Sequence, residues 1–184
     1  NGEALYTAGG LSYGSRKSIY FDMALDAYTS SSGAKTLYIT APGAINELGQ
    51  SEALLAGLGS PGRRPTDELG LSARLADTKT FIDANIDRIL NGGYQSIEFV
   101  SYSIGANEAS YATAYVRQLA AARGSTTAIN STMLAPYYAY GLKEAIGQAG
   151  LNINNAKGTV IVNKTDGVTA ADSQWDPSFL AQNS

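Results

Sequence analysis

Apolar positions along the chain recur at two spacings, and the two alternate. Ala4–Ala8 has the short apolar run of a strand and stops at Gly9-Gly10. From Arg16 to about Tyr28 the pattern fits a helix, with Ile19, Met23 and Ala27 on one face. Thr36–Ala41 is again strand-like and ends at Pro42-Gly43. A stretch punctuated by Gly and Pro follows, from Ala44 to about Gly70. Its length marks a functional loop or lid more readily than an ordinary connection. Leu71, Leu75, Thr78, Ile82, Ile86 and Ile89 then fall three and four apart, the stripe of a helix that Gly92-Gly93 closes. Ser96–Val100 predicts a strand, Ala106–Arg123 a helix, Thr127–Leu134 a strand, Leu142–Ala149 a short helix and Thr159–Asn163 a last strand.

Strand and helix alternating in this way predict an α/β fold: a mostly parallel sheet of about five strands with helices on both faces. In such sheets ligands bind beyond the carboxyl ends of the strands, at a switch in strand order. Gly9-Gly10, Pro42-Gly43, Ser101–Gly105, Pro136-Tyr137-Tyr138 and Asn163–Gly167 are therefore the places to look for chemistry.

The length of 184 residues fits a single domain over 1–184. The chain opens at Asn1 rather than Met, as a processed or excised segment would. No apolar run approaches the ~20 residues that cross a bilayer, so no transmembrane segment is expected. A net charge of −3 has the wrong sign for a nucleic-acid-binding surface. Richness in Gly, Ala, Ser, Thr and Asn is compatible with a secreted or exported protein. Two absences bear on chemistry. Without Cys there is neither a disulfide framework nor a thiolate nucleophile. Without His the commonest metal ligand and the commonest general base are both missing. No metal site and no cofactor are expected, and no Ser-His-Asp set is complete within these residues.

The most informative strand end is Ile97-Glu98-Phe99-Val100-Ser101-Tyr102-Ser103-Ile104-Gly105-Ala106-Asn107. A strand, a tight turn and a helix of small residues resemble the nucleophile elbow of the α/β-hydrolase family, G-x-S-x-G, with Ser103 as its central serine. Ser101 stands where the family has its first Gly, and Gly105 keeps the second; both are small enough for strand and helix to approach. Taken without the resemblance, Ser103 is a helix cap. Leu5-Tyr6-Thr7-Ala8-Gly9-Gly10-Leu11 is similar to the family's Gly-rich oxyanion loop, with Ala8 in place of its His. The resemblance implies that backbone N–H groups of Ile104 and of Gly10 or Leu11 hold the oxyanion. An ordinary strand-to-helix turn has the same glycines. Thr159–Asn163 running into Lys164-Thr165-Asp166-Gly167 looks like the family's acid-bearing segment and implies Asp166 as the triad acid, with Asp172 and Asp176 as alternatives.

In the family the His follows the acid, and this chain ends first. The resemblance covers the central part of the family fold and implies a serine esterase or lipase acting on a carboxylic or lipid ester. Its base would come from a further polypeptide segment. Lys164 is a weaker substitute, since no Ser-x-x-Lys motif accompanies it. Tyr137 and Tyr138 are candidates for a substrate pocket at the end of the fourth strand, or else cover a core edge. A dinucleotide loop at Gly9-Gly10 fails on spacing. Sequons at Asn130 and Asn163 lie on or beside strands. The competing class is a binding or structural domain that keeps the fold without catalysis.

Overall fold

Alternating burial along three seven-residue strands sets the frame of the molecule. The computed structural model describes residues 3–7, 24–30, 33–41, 43 and 70–162, with 3–7 and 24–28 as backbone only. In chain order the elements are β1 (Glu3–Thr7), β2 (Ala24–Thr29), β3 (Lys35–Ala41), α1 (Leu71–Asn91), β4 (Ser96–Tyr102), a 3-10 turn (Ser103–Gly105), α2 (Ala106–Ala122), β5 (Ala128–Leu134), α3 (Leu142–Gln148), a second 3-10 turn (Ile153–Ala156) and β6 (Thr159–Ile161). The strands form one sheet in the order β1-β2-β3-β4-β5-β6. β3 to β6 are mutually parallel, while β1 and β2 extend the sheet through antiparallel pairings.

The α/β class stands, with two corrections. The parallel part has four strands rather than five. The last part of the helix expected from Arg16 to about Tyr28 is instead strand β2 over Ala24–Thr29, paired in register with β3 from Ala24↔Thr40 to Thr29↔Lys35, and residues 16–23 lie outside the described residues. The reason lies in the turn that follows. Ser30 and Ala34 exchange backbone and side-chain hydrogen bonds of 2.8 and 3.0 Å, and Gly33 takes φ 81°. A hairpin closed so tightly makes β2 and β3 antiparallel neighbours, and Leu25 and Ala27 alternate with Asp26 and Tyr28 at a strand's period of two.

Among the described residues, α1, α2 and α3 all pack on one face of the sheet. Leu37, Ile39, Ile97 and Phe99 are buried against Phe81, Ile82 and Ile89 of α1 and Ala109, Ala112 and Val116 of α2. Met133 pairs in register with Ser101, so it shares that face; it joins Ala106, Tyr111, Leu142 and Ile146 in a second cluster. On the opposite face Tyr38, Glu98, Val100 and Asn130 are half-buried or exposed. Each parallel strand from β3 to β6 is added on the same side of the last. Right-handed crossovers then carry every intervening helix to the same face. No switch in strand order occurs among these four strands, and among the described residues the carboxyl ends of β3, β4 and β5 position the site.

Candidate active site at the carboxyl ends of β3, β4 and β5

Along β4 the side chains of Ile97, Phe99 and Ser101 are buried and those between them are more open, as a pleated strand requires. Burying Ile97 and Phe99 completely stabilises the strand by roughly 1.5–3 kcal/mol each and fixes where it ends. Tyr102 is still extended, at φ −130° and ψ 138°. Ser103 then takes φ 53°, and the chain enters the 3-10 turn and α2. A left-handed conformation at a residue with a Cβ costs about 1–2 kcal/mol, so the surroundings must impose it. The flanking positions leave room for the turn. Ser101 is 2% exposed, and Gly105 is buried without a side chain. Ser103 itself is half-buried, and its neighbour Tyr102 is 48% exposed.

The strand ends on either side are built around this turn. After β5, Ala135 is the second non-glycine residue with positive φ among those described, at 42°. Its N–H donates to Ile161 O at 2.7 Å, and two residues on, Tyr137 N–H donates to Ser103 O at 3.0 Å. Two strained turns on adjacent strands are thus tied to each other. After β3, Gly43 is buried against the same place. A Cβ there would lie 2.9 Å from Tyr102 Cδ1 and 3.2 Å from Ser103 Cβ, so the close approach requires glycine.

Below the elbow lies a set of buried polar side chains. Asn107 Nδ2 donates to Ile104 O at 2.7 Å and to Tyr137 O at 2.9 Å, while its Oδ1 accepts from Ala139 N at 2.8 Å. Arg74, in the second turn of α1, is fully buried. Its Nη2 donates to Ile104 O at 2.8 Å, and it forms an ion pair with Glu108 through Nε and Nη2. Burial pushes the Glu108 carboxyl above the usual carboxylate range, and the Arg74 guanidinium pulls it only part of the way back. Glu108 Oε2 has no hydrogen-bond partner among the described residues. A charged pair of this kind contributes little net stability, but losing one member strands the other in the core.

Of the residues singled out in the sequence, Ser103, Ile104, Tyr137 and Tyr138 are described, and the first three meet at the elbow. Tyr137 reaches it through its backbone, its side chain being buried. Tyr138 is 2% exposed and packs with Leu71, Leu75, Tyr111 and Met133, its hydroxyl donating to Met133 Sδ at 3.5 Å. It serves the core here rather than a solvent-facing pocket. Gly10, Leu11, Lys164, Asp166, Asp172, Asp176 and the expected lid up to residue 69 lie outside the described residues. The sequence pattern pointed to Gly43 only as a strand end and gave no role to Arg74, Asn107 or Glu108. Gly43 was legible as a strand end, but only the sheet order shows that its strand adjoins β4. An Asn and a Glu inside an Ala-rich helix, with an Arg on the apolar stripe of another, were signals of a buried polar cluster.

Among the described residues no three His, Cys, Asp or Glu groups are placed to share a metal ion, and no helix is long and apolar enough to cross a membrane.

The described residues thus form a parallel sheet bearing a left-handed serine at the carboxyl end of an inner strand, followed at once by a helix. The chain is similar in fold to the crystal structure of M37 lipase, with a TM-score of 0.53 over 90% of this chain and 14% sequence identity. The chain spans 55%, about half, of that protein's length. No protein-family model matches the sequence, and no curated protein matches it. The fold is lipase-like.

Proposed function

We propose that the protein is a serine ester hydrolase, acting on a carboxylic or lipid ester through Ser103. The observation that carries this reading is the φ of 53° at Ser103, a half-buried residue held at the end of β4. Strain at one serine, imposed by a hydrogen bond from one neighbouring segment and close packing of another, is what a preorganised nucleophile needs and what a simple helix cap does not. Ser103 Oγ attacks the ester carbonyl carbon, and a base takes its proton. The carbonyl oxygen becomes an oxyanion, held by the Ile104 N–H at the head of α2, where unpaired N–H groups and the helix dipole favour negative charge. Collapse expels the alcohol, which recovers the proton, and water then releases the acid from Ser103. Asp166 orients and charge-balances the base, a histidine supplied by polypeptide beyond these residues, since the sequence contains none.

The second oxyanion donor has two candidate turns. Gly10 and Leu11 follow β1, which is separated from β4 by β2 and β3. Three strand spacings amount to about 14 Å. The turn at Gly43 follows the adjoining β3 and packs against Ser103 itself, which favours it. The composition supports export from the cell, where an esterase would meet lipid or polymeric esters.

Turnover of p-nitrophenyl esters by the full natural polypeptide tests the reading. Loss of activity in Ser103→Ala, with Ser101→Ala retaining it, is expected. Residues 1–184 alone are expected to turn over weakly or not at all. Equal activity in Ser103→Ala, or none in the full natural polypeptide, would leave a non-catalytic domain of lipase-like fold.

A further inference from the structure

Two consecutive peptide units decide whether the elbow can hold an oxyanion, and each has its oxygen fixed by a named donor. A peptide is planar, so its N–H points opposite to its C=O. The Ser103–Ile104 unit presents its oxygen to Tyr137 N at 3.0 Å; its N–H, the Ile104 donor, is therefore aimed away from the segment after β5. The Ile104–Gly105 unit presents its oxygen to Asn107 Nδ2 at 2.7 Å and to Arg74 Nη2 at 2.8 Å. Asn107 also holds the donor of the first unit in place. Its Nδ2 grips Tyr137 O at 2.9 Å, and its Oδ1 takes Ala139 N at 2.8 Å, so Tyr137 is fastened on both sides. Both hydrogens of the Asn107 amide and its oxygen are used. The reverse orientation would set an oxygen against two carbonyls.

We propose that Asn107 is a positioning residue: by clamping Ile104 O and the 137–139 segment together, it keeps Ser103 left-handed and the Ile104 N–H aimed as an oxyanion donor. This rests on the hydrolase reading above. Asn107 sits at the fourth position after the serine, fully buried, and touches no reacting atom. Alanine there would remove both donors to carbonyls and the acceptor for Ala139. Ser103 O would then lose Tyr137 and keep only the Ala106 N–H of the 3-10 turn, and the Ser103 backbone could relax toward negative φ. The Arg74 donor to Ile104 O remains in that variant and sustains the helix start.

The test compares Asn107→Ala with Ser110→Ala in the full natural polypeptide. Ser110 is buried on the same helix and donates to Ala106 O and Met133 Sδ, away from the elbow. Well below both melting temperatures, Asn107→Ala is expected to slow fluorophosphonate labelling of Ser103 and kcat by about 100-fold, as loss of an oxyanion donor does, with KM nearly unchanged. Ser110→Ala is expected to stay within about 2-fold. Labelling of Asn107→Ala at the native rate would overturn the clamp. A second measurement needs no variant. The Tyr137 amide of the native protein should exchange its hydrogen slowly, like a core amide; exchange at the rate of an open loop would also overturn it. Absence of labelling in the native protein is a different failure: it removes the hydrolase reading and this use of Asn107 with it.

Discussion

The two ends of α2 pack against the sheet by different means. Toward its C-terminus, Ala109, Ala112, Val116 and Ala120 lie on Leu37, Ile39, Ile97 and Phe99, with α1 closing the layer through Phe81, Ile82 and Ile89. These groups are apolar, and the polar side chains buried beside them, Thr113 and Asn85, donate back to their own helices, at Ala109 O and Phe81 O. At its N-terminus the same helix buries Asn107 and Glu108, and Arg74 of α1 reaches into the core to meet them. Apolar burial is non-directional and supplies most of the stability. The polar end adds little net energy, yet its hydrogen bonds are directional and determine where Ser103 O and Ile104 O point. One end makes the fold stable, and the other sets the geometry of the elbow.

The largest effect should follow from breaking the polar end. Arg74→Ala leaves Glu108 buried without its partner, and a loss of about 4 kcal/mol in urea unfolding is expected. The double variant Arg74→Met with Glu108→Leu sharpens the comparison, since a well-packed apolar replacement of a buried pair is close to neutral. It should fold as stably as the native protein while Ser103 labelling falls, because Ile104 O has lost one donor. Stability and labelling falling together in the double variant would show that the two ends do the same job.

At the apolar end, Ile97→Ala removes a fully buried side chain and should cost about 3 kcal/mol, read as a shift in the urea midpoint. Residual folded protein should label at the native rate.

A smaller effect is the pH dependence from Glu108. Its folded pKa lies above the ordinary 4.5, so the folded state holds the proton more tightly than the unfolded chain. The stability it contributes is complete below about 4.5 and is lost as pH rises through the folded value. Melting curves of the native protein and Glu108→Gln should therefore diverge with rising pH, the native protein losing ground. Parallel curves would mean that Arg74 fully compensates the burial.

The smallest effect has the opposite sign. Ser103→Gly relieves the positive φ and should stabilise by about 1 kcal/mol while abolishing labelling. A destabilised glycine variant would deny that Ser103 is strained.

Most of the sheet was legible because β3, β4, β5 and the two long helices carry unbroken periodicities, such as Leu71 to Ile89 and the alternation of Ile97 and Phe99. β2 was not, because Ala27 falls in helical spacing with Ile19 and Met23 along the sequence, while the deciding signal lay in the Ser30–Ala34 turn. Strand direction and the side taken by the helices depend on strand order, which no local pattern encodes. For the site, Ser103 and Ile104 were legible from spacing and small neighbours. Gly43 was a strand end without an assigned neighbour. Asn107 and Arg74 act through contacts 30 residues away in sequence, the ones to Tyr137 and Ile104, and such contacts are set only by folding.

Peptide mapping of the full natural polypeptide after treatment with a fluorophosphonate tests the central claim most directly. One phosphonyl adduct is expected, on Ser103, absent when the protein is unfolded first and absent in Ser103→Ala. An adduct on another residue, or none on the folded protein, would contradict it.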